Sequence, residues 1–190
     1  FASTGAKQAF LQCVAEACER TGWMVYAWTV MRNHYHFALE TREPNLVDGM
    51  QWLQTTFCSR FNRFRGEQGH VFQGRYKALP VEAGSSLGAL CHYIHLNPVE
   101  AGFLTVPQLG EWPWGSFRWL QQPALRAPWF SGHTALAEPC GLADTPAGRR
   151  SYGDYLAWLA TDEAEKKRLD FERMSTDCAL GSREFKQAFL

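Results

Sequence analysis

Two histidines and a tyrosine–asparagine pair are the residues of this chain whose types and spacing suggest chemistry. His34 and His36 lie in a stretch that alternates between polar and apolar residues as a β-strand does. Successive strand residues point to opposite faces, so the two imidazoles share one face and can converge on one cation. Tyr93 and Asn97 are four residues apart, which on a helix puts a phenol and a carboxamide on one face. A cation site with a tyrosine nucleophile suits an enzyme that cleaves phosphodiesters covalently.

The identity of the cation follows from the ligand types. A His-x-His strand alone is also compatible with an ordinary pair of surface histidines. Two imidazoles with an amide oxygen suit Mg²⁺ or Mn²⁺ acting on a phosphate, and they could also accept Zn²⁺. His92 and His95 offer a competing interpretation, a His-x-x-His zinc pair on a helix. That motif is incomplete, because the adjacent glutamate of a His-Glu-x-x-His zinc hydrolase is missing.

The composition is that of a globular protein with a locally basic segment. Of the 190 residues, 46% are hydrophobic and 14% aromatic, which argues against disorder. The formal net charge is zero, but residues 60–77 hold five Arg or Lys and one acid, Glu67. The six cysteines form no Cys-x-x-Cys pair, a pattern typical of reduced cytosolic thiols. No apolar run approaches about 18 residues, so the sequence predicts no membrane span.

Hydrophobic periodicity predicts an alternation of helices and strands. The predicted elements are a helix over about 4–21, a hairpin of strands over 23–31 and 33–40, a helix over 46–64, a strand over 76–83 and a helix over 85–97. Gly22 and Gly66 are placed to end the two longer helices. Pro80 would restrict its strand to a sheet edge. Because Pro98 disfavours helical geometry at the preceding residue, Asn97 is expected at the helix end.

This order of elements predicts an α+β fold. It matches a ferredoxin-like (RRM-like) antiparallel sheet with helices on one face that lacks its first strand. We expect the missing strand to precede Phe1; the alternative is a sheet of three strands. Residues 1–117 are predicted to form the catalytic domain, and 118–190 a partly helical extension with a candidate linker at 141–148. Four tryptophans between 112 and 129 suggest that this region braces the sheet or grips a DNA stem.

Cations alternate with aromatic residues through the basic segment. Proteins that bind single-stranded nucleic acid combine cationic groups on phosphates with rings that stack on bases. Phe57, Phe61 and Phe64 are nevertheless expected in the core, because they follow helical spacing. The residues predicted to contact DNA are Arg60, Arg63, Arg65, His70, Gln73, Arg75, Tyr76 and Lys77.

Three blocks of sequence give the chain a family resemblance. They are residues 31–36 (MRNHYH), 69–77 (GHVFQGRYK) and 93–102 (YIHLNPVEAG). In this order they resemble the signature blocks of the REP-associated tyrosine transposases, which belong to the single-tyrosine HUH transposase superfamily. The resemblance covers about residues 1–117 and continues more weakly towards residue 185. The absent first strand is the departure from the family pattern.

The resemblance implies a metal-dependent endonuclease and strand transferase that recognises hairpin-forming palindromes in single-stranded DNA. His34, His36 and Asn97 would bind Mg²⁺ or Mn²⁺. Tyr93 would attack the scissile phosphate to form a 5′-phosphotyrosine intermediate. The implied setting is the bacterial cytoplasm at the nucleoid, with no membrane partner, as a monomer or homodimer. The alternative from another class is a non-catalytic domain of the same fold that binds single-stranded nucleic acid.

Overall fold

A computed structural model describes Phe1 and residues 3–189, with the backbone alone for Pro139. Its elements are α1 (Thr4–Thr21), β1 (Met24–Val30), β2 (Tyr35–Glu40), α2 (Leu46–Arg65), α3 (Ser85–Glu100), α4 (Phe117–Gln121), α5 (Gly132–Cys140), α6 (Pro146–Leu159), α7 (Glu163–Arg168) and α8 (Arg183–Gln187). The predicted α+β class is therefore confirmed. Among the described helices, none combines the length and hydropathy that crossing a bilayer requires.

Short-range signals set the ends of α1 and α2. Ser3 Oγ accepts a hydrogen bond from the Ala6 N–H at 3.2 Å and so caps the start of α1. Gly22 and Gly66 end the two helices in the left-handed conformation, with φ of 71° and 66°. Glycine adopts this conformation without a steric penalty because it has no Cβ. Both predicted helices are confirmed.

The two strands form an antiparallel hairpin. The Met31 N–H donates to the His34 carbonyl at 2.9 Å and closes the turn between them. The register sets Thr29 of β1 opposite His36 of β2. The predicted hairpin is therefore confirmed, and it fixes which face of the sheet carries the histidines.

The segment 76–83 does not join this sheet. The Glu82 N–H donates to the Leu180 carbonyl at 2.8 Å, and the Leu180 N–H donates to the Pro80 carbonyl at 2.9 Å. The segment thus makes an isolated parallel bridge with the C-terminal region. Pro80 takes part in this bridge through its carbonyl, so no bond of the bridge requires the N–H that proline lacks. The predicted third strand is wrong. Within the described residues the sheet has two strands, not the three or four of the ferredoxin-like plan.

Helices cover both faces of the hairpin. On one face, Phe10 of α1 packs its ring 4.8 Å from Tyr35 and 5.2 Å from Phe57 of α2, measured between ring centroids. On the other face, Ala38 of β2 shares a buried cluster with Ala89 of α3. The expectation of helices on one face only is wrong. The physical reason is that β1 is apolar and buried on both faces, so each face needs a covering layer.

The C-terminal extension is partly helical, as predicted, and its backbone, together with the residues just before it, covers the outer edge of β1. The Val25 N–H donates to the Trp129 carbonyl, and the Val30 N–H donates to the Trp114 carbonyl, each at 2.8 Å. These bonds satisfy amides that an open strand edge would leave unpaired. The arrangement fits a bracing role for the extension, whereas gripping a DNA stem stays a prediction.

The buried core continues across the predicted domain boundary. Leu120 is fully buried in the same cluster as Phe10. The connection after α5 is shorter than the predicted linker over 141–148, because α6 already begins at Pro146. The division of the chain at residue 117 stays a prediction.

Candidate active site

The start of β2 and the residue before it present the two histidines side by side. Their ring centroids are 5.0 Å apart, with planes at 76°. His34 immediately precedes the strand and is exposed, whereas His36 is half-buried. Asn33 Oδ1 lies 2.8 Å from His34 Nδ1. In the tautomer in which Nδ1 donates to this oxygen, Nε2 keeps a lone pair.

The helix α3 brings an amide oxygen to that lone pair. Asn97 Oδ1 lies 3.4 Å from His34 Nε2. With the His34 proton on Nδ1, both facing atoms carry lone pairs and no proton lies between them. Two ligand atoms at about 2.1 Å from one cation are roughly 3.0–3.4 Å apart in octahedral or tetrahedral geometry. The donor atoms present here therefore fit a divalent cation.

Tyr93 lies next to the second histidine. Its ring meets the His36 ring edge to face, with centroids 5.4 Å apart. The ring is half-buried and also packs edge to face on Phe171 at 5.6 Å. The phenol is therefore held at the surface beside the imidazoles and not in a dry interior. The structure brings together all four residues predicted for the site, namely His34, His36, Tyr93 and Asn97.

The protonation state of His36 suits a ligand. Burial, with a smaller contribution from the nearby charge of His34, lowers the pKa of His36 to about 4. An imidazole with this pKa is neutral at pH 7 and keeps a lone pair available. The strand position therefore supplies an imidazole that needs no deprotonation to bind a cation.

The end of α3 differs from the prediction. The helix continues through Pro98 to Glu100, so the expectation that Asn97 ends it is wrong. Pro98 has no N–H to give to the Ile94 carbonyl, yet the helix persists because Pro98 is buried against the core. The Ala101 N–H still donates to the Asn97 carbonyl at 3.0 Å. Asn97 is thus held inside the last helical turn.

His92 and His95 do not form a zinc site. His92 Nδ1 and His95 Nδ1 lie 3.1 and 2.9 Å from the Tyr152 hydroxyl, and His95 Nε2 lies 2.9 Å from Ser116 Oγ. Both ring nitrogens of His95 are thus occupied by hydroxyls. Burial lowers the pKa of each imidazole to about 3, so both are neutral core groups. In the described part of the chain, no three His, Cys, Asp or Glu residues cluster as a metal site, and this contradicts the zinc interpretation.

The predicted DNA-contacting residues all reach the surface, but three of them already have partners. Arg60 makes two hydrogen bonds to Glu16 at 2.7 and 2.8 Å. Arg65 pairs with Glu67 at 2.8 Å, and Lys77 Nζ donates to a backbone carbonyl at 2.7 Å. The rest are the exposed Arg63, His70, Gln73 and Arg75 and the half-buried Tyr76. The exposed members are therefore the better placed to meet a phosphate.

The basic loop adjoins the histidine end of the sheet. Phe72 packs its ring 6.2 Å from that of Tyr35, the first residue of β2. Tyr35 directly follows His34 but points to the opposite face of the strand, so this contact puts Phe72 at the histidine end of the sheet, on the face away from the imidazoles.

One expectation for the aromatic residues of α2 is wrong. Phe57 is buried and Phe61 is half-buried, as expected of core residues. Phe64, however, is 91% exposed. The aromatic cluster ends one turn before the end of the helix, so nothing remains for Phe64 to pack on. Its ring stands between Arg63 and Arg65 on the surface.

Two residues behind the site were missed at the level of sequence. Ser116 and Tyr152 hydrogen-bond the buried histidines of α3. Both come from the C-terminal half, far along the chain from His95. No spacing rule links residues so distant, and the only signal was the family resemblance, which includes Ser116 and continues more weakly past Tyr152.

Comparison with known families gives the class of the protein. A family model described as "Transposase IS200 like" matches residues 1–97, just over half of the chain, and this range contains the residues of the candidate site. The chain is therefore a protein of the transposase class, whose members process DNA. The chain is a member of the IS200-like transposase family. Searches among curated proteins and among solved structures gave no match.

Proposed function

We propose that this transposase cleaves single-stranded DNA by attaching Tyr93 covalently to the scissile phosphate. His34, His36 and Asn97 are the proposed ligands of Mg²⁺ or Mn²⁺. The observation that carries the proposal is the convergence of two elements: Asn97 Oδ1 faces His34 Nε2 at 3.4 Å, while the Tyr93 ring packs on His36. A strand and a later helix thus offer cation ligands and a phenol at one place.

The proposed reaction uses the phenol as the nucleophile. Tyr93 Oη bonds to phosphorus and loses its proton, while the bond from phosphorus to the 3′ oxygen breaks. The 3′ oxygen takes up a proton and leaves as a hydroxyl, and the 5′ phosphate stays on the tyrosine. A protonated phenol is a weak nucleophile and needs activation. When bound, a divalent cation would polarise the phosphate oxygens and stabilise the charge that develops on them.

The covalent intermediate also explains how strands could be rejoined. The phosphotyrosine ester keeps the energy of the broken phosphodiester, so a 3′ hydroxyl can attack it without a nucleotide cofactor. The attacking hydroxyl can come from the same strand or from another one. The second case is strand transfer, which is the step a transposase requires.

The proposed substrate is a hairpin-forming palindrome with single-stranded flanks. The three sequence blocks that resemble REP-associated transposases support this choice. The exposed Arg63 and Arg75 support contact with the phosphate backbone, since neither forms an ion pair with the described residues. Phosphate contacts of this kind position a strand without reading its sequence.

Covalent capture tests the proposal directly. A hairpin oligonucleotide labelled at its 3′ end is incubated with the protein and Mg²⁺ or Mn²⁺, and the label is followed on a denaturing protein gel. A 5′-phosphotyrosine link carries the label onto the protein. Tyr93→Phe should abolish this species while leaving hairpin affinity within about twofold. Tyr155→Phe, at another half-buried tyrosine, is the matched control and should keep it.

The outcomes separate the candidate functions. An adduct that survives in Tyr93→Phe assigns the nucleophile elsewhere. Salt-sensitive hairpin binding without adduct at any metal concentration would instead favour the non-catalytic binding domain. His36→Ala should raise the metal concentration needed for half-maximal adduct, and an unchanged metal dependence would remove His36 from the ligand set.

A further inference from the structure

A continuous set of hydrogen bonds runs through the core behind the candidate site. The Tyr152 hydroxyl of α6 joins His92 and His95 of α3, and His95 Nε2 meets Ser116 Oγ at 2.9 Å. Ser116 Oγ in turn accepts the Trp28 N–H of β1 at 2.8 Å. We call these residues, Trp28, His92, His95, Ser116 and Tyr152, the buried network. It connects α3 to the sheet and to α6.

The buried network holds the side of α3 that faces away from the candidate site. A helix turns about 100° per residue. The mean direction of His92 and His95 is therefore roughly 150° from that of Tyr93 and Asn97. Any rotation of α3 that weakens the network on one side moves the phenol and the amide on the other.

Apolar packing and hydrogen bonds hold α3 on different sides. On the side of the sheet, Ala89, Leu90 and Ile94 of α3 share a buried cluster with Ala27 and Ala38 of the hairpin. Apolar packing fixes the distance between the helix and the sheet more strictly than the direction in which each side chain points. Hydrogen bonds between buried groups are directional, and a fully satisfied buried network specifies one arrangement.

The proton inventory of the network allows all of its hydrogen bonds to be made at once. Both histidines are neutral, so each ring has one donor and one acceptor nitrogen. The Tyr152 hydroxyl has one proton and lies between two Nδ1 atoms, so it donates to one ring and accepts from the other. Ser116 Oγ likewise accepts from the Trp28 N–H and has one proton to give, to the Trp28 carbonyl at 3.2 Å or to His95. Both hydroxyls of the buried network, those of Ser116 and Tyr152, are therefore used.

We infer that Ser116 and Tyr152 are positioning residues for the candidate site: they fix the rotation and depth of α3 on the sheet, so that Tyr93 and Asn97 meet His36 and His34. The inference rests on the proposed function for its catalytic consequence. Its structural consequence, a displaced Asn97 and Tyr93, holds whether or not the site cleaves DNA.

The test uses Ser116→Ala and Tyr152→Phe, each of which removes one hydroxyl. Ser131→Ala is the matched control: its hydroxyl caps α5 by accepting the Thr134 N–H, and its backbone also bonds to β1. Loss of such a cap costs about 1 kcal/mol of stability and leaves every hydroxyl of the buried network in place. Because α5 packs on α3, this variant also controls for a general loosening around that helix. With saturating metal and DNA, the two network variants should form adduct at least tenfold more slowly, with hairpin affinity within twofold. The control should keep the wild-type rate.

A second readout separates this inference from the proposed function. In the metal-free and DNA-free protein, NMR resonances of the Asn97 side-chain amide and the His36 ring should shift in both network variants and stay unchanged in Ser131→Ala. If the wild type forms no adduct, the proposed function fails and these resonances alone decide the inference. Unchanged resonances in Ser116→Ala and Tyr152→Phe, or wild-type adduct rates in both, would overturn it.

Discussion

The buried histidines predict an unusual sensitivity of this protein to mild acid. Burial lowers the pKa of both His92 and His95 to about 3. In the unfolded chain a histidine titrates near its ordinary value of about 6.5. Below that pH the two histidines bind protons in the unfolded state but stay unprotonated in the folded state. Stability is therefore complete above pH 6.5 and falls as the pH drops towards 3.

The size of the effect follows from the gap between the two pKa values. At pH 5 the unfolded histidine is 1.5 pH units below its pKa, while the folded one is still neutral. Each group therefore contributes a loss of about 2 kcal/mol between pH 8 and pH 5. The two together remove about 4 kcal/mol, a large part of the 5–15 kcal/mol typical of a whole domain. His36, whose pKa is also lowered, acts in the same direction.

Urea unfolding at pH 8, 6.5 and 5, followed by tryptophan fluorescence, measures this loss. His92→Gln removes one titrating group, so the free energy lost between pH 8 and pH 5 should shrink by about 2 kcal/mol even though the variant is less stable at pH 8. His133→Gln, at an exposed position of α5, is the matched control for replacing a histidine. A wild-type stability that is the same at pH 8 and pH 5 would refute the reasoning. So would an undiminished loss in His92→Gln.

Three further predictions concern the proposed DNA surface and the packing of α2. Arg75→Ala should reduce the slope of log affinity against log salt for hairpin DNA by about 0.7–0.9. Arg60→Ala should reduce this slope less, because the Arg60 guanidinium is already paired with Glu16. Equal reductions would contradict the proposal that Arg75, and not Arg60, contacts a phosphate. Phe64→Ala should weaken binding of a hairpin with single-stranded flanks by roughly 1–3 kcal/mol, because base stacking is lost. Phe64→Trp, which keeps an aromatic ring, should bind with nearly wild-type affinity. Unchanged affinity in Phe64→Ala would show that the exposed ring does not stack on DNA. Gly49→Ala should lower the urea midpoint, because the added Cβ would overlap atoms of the Trp23 ring. This loss should outweigh the intrinsic preference of alanine for helices. A stabilised variant would contradict that packing.

The elements that were predictable from sequence are those set by neighbouring residues. The first helix has its cap at Ser3 and its stop at Gly22, and the hairpin has strict alternation around His34 and His36. The pairing of His34 with His36, and of Tyr93 with Asn97, could be predicted in the same way. Strand spacing puts the first pair on one face, and helix spacing does the same for the second. That the strand and the helix meet depended on tertiary packing, which spacing does not encode.

The errors concern tertiary contacts, which local sequence does not specify. Residues 76–83 look like a strand, but their backbone bonds to Leu180 instead of to the sheet. Pro98 disfavours a helix locally, yet it is buried inside α3. In these two cases long-range pairing or burial outweighed a local preference. For Phe64, helical spacing correctly gives the face of α2 on which the residue lies, but not where the neighbouring aromatic cluster ends.

The cover on the outer edge of β1 has a consequence for how the chain folds. The hydrogen bond between Trp28 and Ser116 joins residues that are 88 positions apart in the sequence. The Val25 N–H is likewise paired only when the distant Trp129 is present. Contacts so distant raise the contact order and slow folding, because a long loop must close first. While the chain emerges from the ribosome, the hairpin forms long before its cover exists. We therefore expect the nascent hairpin to need chaperone shielding until about residue 131 has been synthesised.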